Sequence, residues 1–254
     1  FYLPMLFCLF FSCSQTEESE IMAQHEMKAE TRGMLTQNVV IQWDEEGQEL
    51  DGFGIAEADC AADIFTHPKR DEIMNLLFGK DGLDISILRG EIFPHYWMNE
   101  GDSSFGTDVK TDMPLSDPYF QQADANELKR TGQLWVTQQA QKLYHTDKLF
   151  FSTWSPPAWM KQDGYITPDN FASHGFLKPE YYQMFADYLV KFVQAYQTAG
   201  MDVYAVSPVN EPNYEADWNS CKWTPAQLAD FIANYMGPTF EKQSVNSQII
   251  FGEL

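Results

Sequence analysis

From Asp51 onward, short apolar runs alternate with longer runs that carry a helical stripe. Asp51–Ile55 opens a strand-like segment, and residues 67–78 (HPKRDEIMNLLF) read as a helix with Thr66 placed to cap it. Asp84–Ile92 (DISILRGEI) reads as a buried strand, and a long polar stretch follows it to about residue 123. Asp124 and Glu127 have the spacing of a capping box, and Leu128, Leu134, Trp135, Ala140 and Leu143 form the stripe of the helix behind it. Lys148–Thr153 (KLFFST) is the next strand. Pro179 opens a helix expected to run to about Ala199, before Gly200. Asp202–Ser207 (DVYAVS) is a strand, Thr224-Pro225-Ala226-Gln227 is a second capping box, and Gln248–Glu253 (QIIFGE) is a last strand.

Helices of more than ten residues between short strands exclude hairpins and require parallel pairing. The sheet is then either a closed (β/α)8 barrel or an open, doubly wound one. The barrel is favoured by where the unusual side chains fall. Arg89, Trp154, Asn210 and Glu211 lie at or just past the C-terminal ends of different strands, the rim where barrels keep their chemistry. The expected fold is therefore α/β, an incomplete (β/α)8 TIM barrel of about strands 1 to 5 over residues 51–254. A barrel needs eight strands, and the sequence stops at Leu254 as a strand ends. The chain is accordingly expected to be a fragment cut at both ends, inactive and poorly folded by itself.

The first residue is Phe, and residues 1–12 (FYLPMLFCLFFS) form an apolar run too short to span a bilayer. With Cys13 behind it, the run reads as a truncated secretory or lipoprotein signal over residues 1–13, with Cys13 as the lipidation site. Residues 14–36 are polar and acidic, as a tether would be. The protein is expected to be exported, either secreted or held at the bacterial outer membrane by that lipid, and to act as a monomer.

Sixteen Lys and Arg against 37 Asp and Glu give a net charge of −21, a field that repels phosphate backbones and excludes nucleic acid as a partner. Outside the signal only Cys60 and Cys221 remain; an exported location permits a disulfide between them, and no CxxC or metal spacing exists. The five His are scattered at 25, 67, 95, 145 and 174, without an HExxH. No P-loop, GxGxxG or GxSxG is present.

Three motifs carry chemistry. SPVNEPNYE (207–215) delivers Asn210-Glu211-Pro212 from a strand into a loop. FSTWSPPAWMK (151–161) fixes the backbone with Pro156-Pro157 and holds Trp154 and Trp159 at the rim, where flat rings can stack on sugars. Leu50-Asp51-Gly52-Phe53-Gly54 punctuates the first strand with glycine.

In this order the three resemble glycoside hydrolase family 30, a family of retaining (β/α)8-barrel hydrolases, over about residues 38–254. DGFG (51–54) resembles the family's opening, with Ile55 departing from it; FSTWSPPAWMK and SPVNEP resemble its later motifs. The resemblance implies that Glu211 is the general acid/base and Asn210 the residue that binds the sugar 2-hydroxyl. It implies that Arg89 orients the nucleophile and that Trp154 walls the subsite at the cleaved bond; Trp159 is expected on the substrate side from its place after the proline pair. The nucleophile would be a Glu ending strand 7, beyond Leu254. Glu253, ending strand 5, is read as a cleft-wall residue, and Glu91 as either a cleft polar group or the partner of Arg89. Residues 37–50 resemble a strand leading into an accessory β-sandwich.

A retaining mechanism needs two carboxyls about 5–5.5 Å apart, one held protonated by burial and by its neighbour's charge. It needs no metal or organic cofactor. The loop NYEADWNSCKW (213–223) resembles that of the family's bacterial xylanases, which points to endo-acting hydrolysis of β-1,4-xylan. Other activities of the family are β-1,6-glucanase, β-1,6-galactanase, β-xylosidase, β-fucosidase and glucosylceramidase. A non-catalytic glycan-binding lipoprotein would keep the aromatics without needing Asn210-Glu211 beside Arg89. An aldolase or phosphate-binding barrel would want a Lys at a strand end or a late Gly-rich loop, and no strand here ends in Lys.

Overall fold

The computed structural model describes residues 44–57, 60–94, 132–165, 175–214, 216 and 218–252. The chain divides into two compact units, residues 1–51 and 52–254. In the first, residues 44–50 contain no strand, so the described part of the expected lead-in strand at 37–50 is irregular. The signal with Cys13, the tether, residues 37–43, the Asp124–Glu127 capping box, Glu253 and Leu254 lie outside the described residues.

The second unit carries five parallel strands: β1 (Gly54–Ala56), β2 (Ile87–Glu91), β3 (Lys148–Ser152), β4 (Ala205–Ser207) and β5 (Gln248–Ile249). Their spatial order is their order in the sequence, and every neighbouring pair is parallel. A doubly wound sheet reverses direction at a switch point, whereas a barrel winds one way. The unbroken order therefore selects the barrel-type winding. The strands are shorter than their apolar runs: β2 and β4 begin later, at Ile87 and Ala205, and β5 ends earlier, at Ile249.

Around the sheet stand α1 (Ala61–Thr66), α2 (Arg70–Phe78), α3 (Gln133–Tyr144) and α4 (Tyr182–Thr198). They are followed by α5 (Pro225–Phe231) and α6 (Gly237–Lys242), joined through a π-turn at Ile232–Met236. The π-turn widens the helix just before Pro238, which has no N–H to offer the ladder. Thr66 does not cap a helix. It ends α1, and its hydroxyl donates back to the Ala62 carbonyl at 2.9 Å. Thr224 does cap α5, in the reciprocal box with Gln227 that the sequence shows. Pro179 starts a 3-10 turn that leads into α4 rather than α4 itself.

The outward face of the sheet meets the helices. Phe151 packs edge-on against Phe192 and Tyr196 of α4, with ring centroids 5.0 and 4.8 Å away. Gly90 allows this closeness, since a Cβ there would lie 2.5 Å from the Phe151 ring and 2.8 Å from Gln133 Oε1. Gln133, fully buried, uses the space. Its amide accepts from Glu91 N–H at 2.7 Å and donates to the Glu91 carbonyl at 2.8 Å and to Tyr196 Oη at 2.9 Å. A side chain thus completes the ladder where β2 ends.

Glu57 follows β1 on this helix side. Its N–H donates to the Arg89 carbonyl at 2.8 Å, and its carbonyl accepts from Cys60 and Ala61 N–H where α1 begins. The carboxyl is fully buried, and Oε1 accepts from Thr137 Oγ1 at 2.7 Å. Burial pushes its pKa well above the carboxylate range, and the Thr137 bond opposes this more weakly. Thr137 Oγ1 also lies 2.7 Å from the Gln133 carbonyl. One hydroxyl proton therefore faces two acceptors.

Candidate active site

Register places the rim residues on one face. Arg89 stands beside Ala56 and Phe150, and Glu91 beside Ser152, which stands beside Ser207. Side chains alternate faces along a strand, so Arg89 and Glu91 share the face opposite the helices. Beyond β3 and β4 the two chains stay joined: Thr153 N–H donates to the Ser207 carbonyl at 3.2 Å, and Asn210 N–H to the Thr153 carbonyl at 2.7 Å. Asn210 is thereby tied to the end of β3 before its side chain does anything.

Arg89 Nη2 donates to Asn210 Oδ1 at 2.5 Å. Because a guanidinium can only donate, Oδ1 must face it and Nδ2 must face away. Nδ2 then donates to Glu211 Oε2 at 3.2 Å. The result is a directed line of donors from a fixed cation, through an oriented amide, to a half-buried carboxyl. The Arg89 guanidinium also sits 4.4 Å from the centroid of the Trp154 ring, a cation–π contact that holds both groups. Glu211 has φ +44°, left-handed backbone in a residue that is not glycine. Such a conformation persists only where the surroundings fix it, and it clusters at functional positions.

Three of the four substrate-side residues expected from sequence therefore meet Glu211 in one place: Arg89, Asn210 and Trp154. Trp159 does not join them. It lies in a 3-10 turn (Ala158–Met160) behind the proline pair, half-buried, edge-on to Tyr181 at 5.3 Å and packed on the core. Glu91 reaches the acid loop from the end of β2. It is buried, and its Oε1 accepts from Asn219 Nδ2 at 2.6 Å. The expected cleft-wall residue Glu253 is outside the described residues.

The chain after Glu211 makes a loop whose neck is closed by Trp223 N–H donating to the Pro212 carbonyl at 3.1 Å. Tyr214 and Trp218 form an aromatic pair on it, centroids 5.7 Å apart. Lys161, fully buried, donates to the Ser220 carbonyl at 2.6 Å and lies 4.0 Å from Asp163. Burial lowers the Lys161 pKa, with Cys221 and Asp163 opposing. Cys221 is a buried thiol pushed up to about 12 by burial, and neither it nor Cys60 is in a disulfide, so the two are not bridged. Asn219 and Lys161 were not singled out from the sequence. Both lie in motif-like stretches, NSCKW and SPPAWMK, which is the signal that could have drawn attention to them. Among the described residues no three His, Cys, Asp or Glu side chains converge as a metal centre would require.

Residues 50–251 match the domain described as the glycosyl hydrolase family 30 TIM-barrel domain. The endo-1,6-beta-D-glucanase of Neurospora crassa is 27% identical over 210 residues, covering 80% of this chain and 42% of its own length. The lysosomal acid glucosylceramidase of Mus musculus is 25% identical over 226 residues, covering 84% and 41%. Among solved structures, the family 30 subfamily 8 xylanase from Clostridium acetobutylicum superposes with a TM-score of 0.58 at 29% identity, covering 81% of this chain and 43% of that one. The chain thus spans less than half the length of the proteins it matches.

Proposed function

The chain belongs to glycosyl hydrolase family 30, and from that premise we propose that the protein hydrolyses β-glycosidic bonds of a polysaccharide with retention of configuration. Glu211 is the acid and then the base. In the first step its carboxyl proton passes to the glycosidic oxygen while a second carboxylate attacks the anomeric carbon. The C–O bond to the leaving sugar breaks, and that sugar departs with the proton. In the second step Glu211, now ionised, takes a proton from water; the water oxygen attacks the anomeric carbon and the glycosyl ester bond breaks. The second carboxylate, about 5–5.5 Å away, is assigned to the end of the seventh barrel strand.

The observation that carries this reading is the line Arg89–Asn210–Glu211 at the C-terminal rim of a parallel, singly wound sheet. A glycan-binding protein has no use for a carboxyl aligned by a cation and an amide. The proposed substrate is β-1,4-xylan, supported by the loop 213–223 and by the 29% identity to the clostridial xylanase. The Tyr214–Trp218 pair, just past the acid, would stack on the leaving-group side. A β-1,6-glucan is the second reading, favoured by the Neurospora crassa relative. Export with a lipid on Cys13, and action as a monomer, belong to the same proposal and rest on the sequence of residues 1–13 and the acidic composition.

The test is to assay the full-length protein on β-1,4-xylan, β-1,6-glucan and aryl β-glycosides. New reducing ends from xylan, a first-formed β-anomer by NMR, and a loss of about 10²- to 10⁴-fold in Glu211→Gln are expected. Retention on a polysaccharide gel with no hydrolysis of any β-glycoside would overturn the reading in favour of a binding protein.

A further inference from the structure

Strand β2 reaches the acid loop twice. Arg89 binds Asn210 at the loop's entry, 121 residues away in sequence, at 2.5 Å. Glu91, two residues further along the same strand, binds Asn219 on the loop's return, 128 residues away, at 2.6 Å. Glu91 is 4% exposed and Asn219 5%. The adjacent residue, Ser220, accepts at its carbonyl from Lys161 Nζ at 2.6 Å. An acidic side chain at the end of β2 and a basic one just past the 3-10 turn Ala158–Met160 thus hold consecutive residues of one loop. Burying an ionisable side chain is costly, and a cluster of this kind is weak evidence for stability alone. Its distinctive effect is geometric: between two fixed points the loop has little freedom to turn the Glu211 carboxyl away from the Asn210 amide.

Resting on the glycosidase reading above, we propose that Glu91 is a positioning residue, which through Asn219 clamps the return of the acid loop as Arg89 clamps its entry. The partner of Glu91 is an amide N–H, so the role needs a hydrogen-bond acceptor at this position. Glutamine can supply one through Oε1, and an aliphatic side chain cannot. Losing a well-placed bond to a charged group, or misplacing a catalytic group by about 1 Å, lowers rates by roughly 10- to 100-fold.

The experiment uses the full-length protein with Glu91→Gln, Glu91→Leu, Asn219→Ala and the double variant Glu91→Leu/Asn219→Ala. Kinetics on an aryl β-glycoside are read alongside amide hydrogen exchange over the peptides spanning 213–223. Glu91→Leu and Asn219→Ala should each lose about 10- to 100-fold in kcat with KM within about 3-fold. Glu91→Gln should stay within about 3-fold of the parent. The double variant should be no worse than the poorer single one, since both remove the same contact. Exchange should quicken in the 213–223 peptides and not in the rest of the barrel. Additive losses, exchange that quickens evenly across the chain, or a Gln variant as poor as Leu would each overturn the clamp. If Glu91→Leu does not fold, Asn219→Ala carries the test from the loop side. If the parent cleaves no β-glycoside, the proposed function fails, and the exchange measurement alone decides the clamp.

Discussion

Replacing Glu57 with Gln should make the protein less sensitive to rising pH. The carboxyl is fully buried, its pKa is raised well above the ordinary carboxylate value by burial, and its Oε2 has no hydrogen-bond partner. The folded state therefore holds this proton more tightly than the unfolded chain. Between the ordinary carboxylate pKa and the raised one, unfolding releases a proton, so increasing pH favours unfolding. The stability linked to Glu57 is complete below the unfolded pKa and drains away as pH rises through the folded one. One proton released corresponds to a slope of about 1.4 kcal/mol per pH unit in that window. Gln has no such proton. Its amide can donate to Thr137 Oγ1 at any pH, which leaves the Thr137 hydroxyl free to donate to the Gln133 carbonyl, as the carboxyl of Glu57 can only while it keeps its proton. Urea unfolding of parent and Glu57→Gln, followed by tryptophan fluorescence between about pH 4.5 and 8, measures the difference. The variant should gain relative stability steadily with pH. Parallel stability curves, or a variant that falls behind as pH rises, would refute the assignment of a protonated Glu57.

Two further outcomes test the site. Arg89→Met removes the cation that fixes the Asn210 amide and the ring of Trp154; on the proposed reading kcat/KM for an aryl β-glycoside falls by about 10- to 100-fold, and unchanged kinetics would dismiss the line of donors. Cys221, with its thiol pushed up to about 12, should resist iodoacetamide at about pH 8, while half-buried Cys60 reacts. Peptide mapping by mass spectrometry reads both, and equal labelling would contradict the burial of the acid loop.

The winding and the central residues of the site are legible in the sequence because they depend on local signals. The apolar runs place the strands, a proline pair and an Asn-Glu-Pro mark the turns onto the rim, and Thr224 with Gln227 spells out its own cap. What is hidden depends on partners far apart. Nothing near Glu91 announces Asn219, and nothing near Lys161 announces Ser220, because the pairing exists only once the sheet brings 128 and 59 residues of separation to contact distance. Thr66 misleads for a different reason. A short helix that the sequence reading lacks, α1, precedes the expected one, so a residue suited to begin the second closes the first. Trp159 reads as a rim aromatic from its motif, yet one turn of 3-10 helix past the prolines is enough to swing it onto Tyr181.

The sequential order of the strands has a consequence for how the protein is made. Each described strand pairs with the one synthesised just before it, so this part of the sheet can be laid down in step with the ribosome. The site behaves otherwise. Arg89 leaves the ribosome long before Asn210 and must stand without this partner for the 121 residues between them. A nascent chain that has completed β3 owns three paired strands and none of the aligned carboxyl. Assembly of the rim is therefore a late event, coupled to the arrival of β4, and arrested nascent chains ending on either side of Glu211 would separate the acquisition of structure from the acquisition of the site.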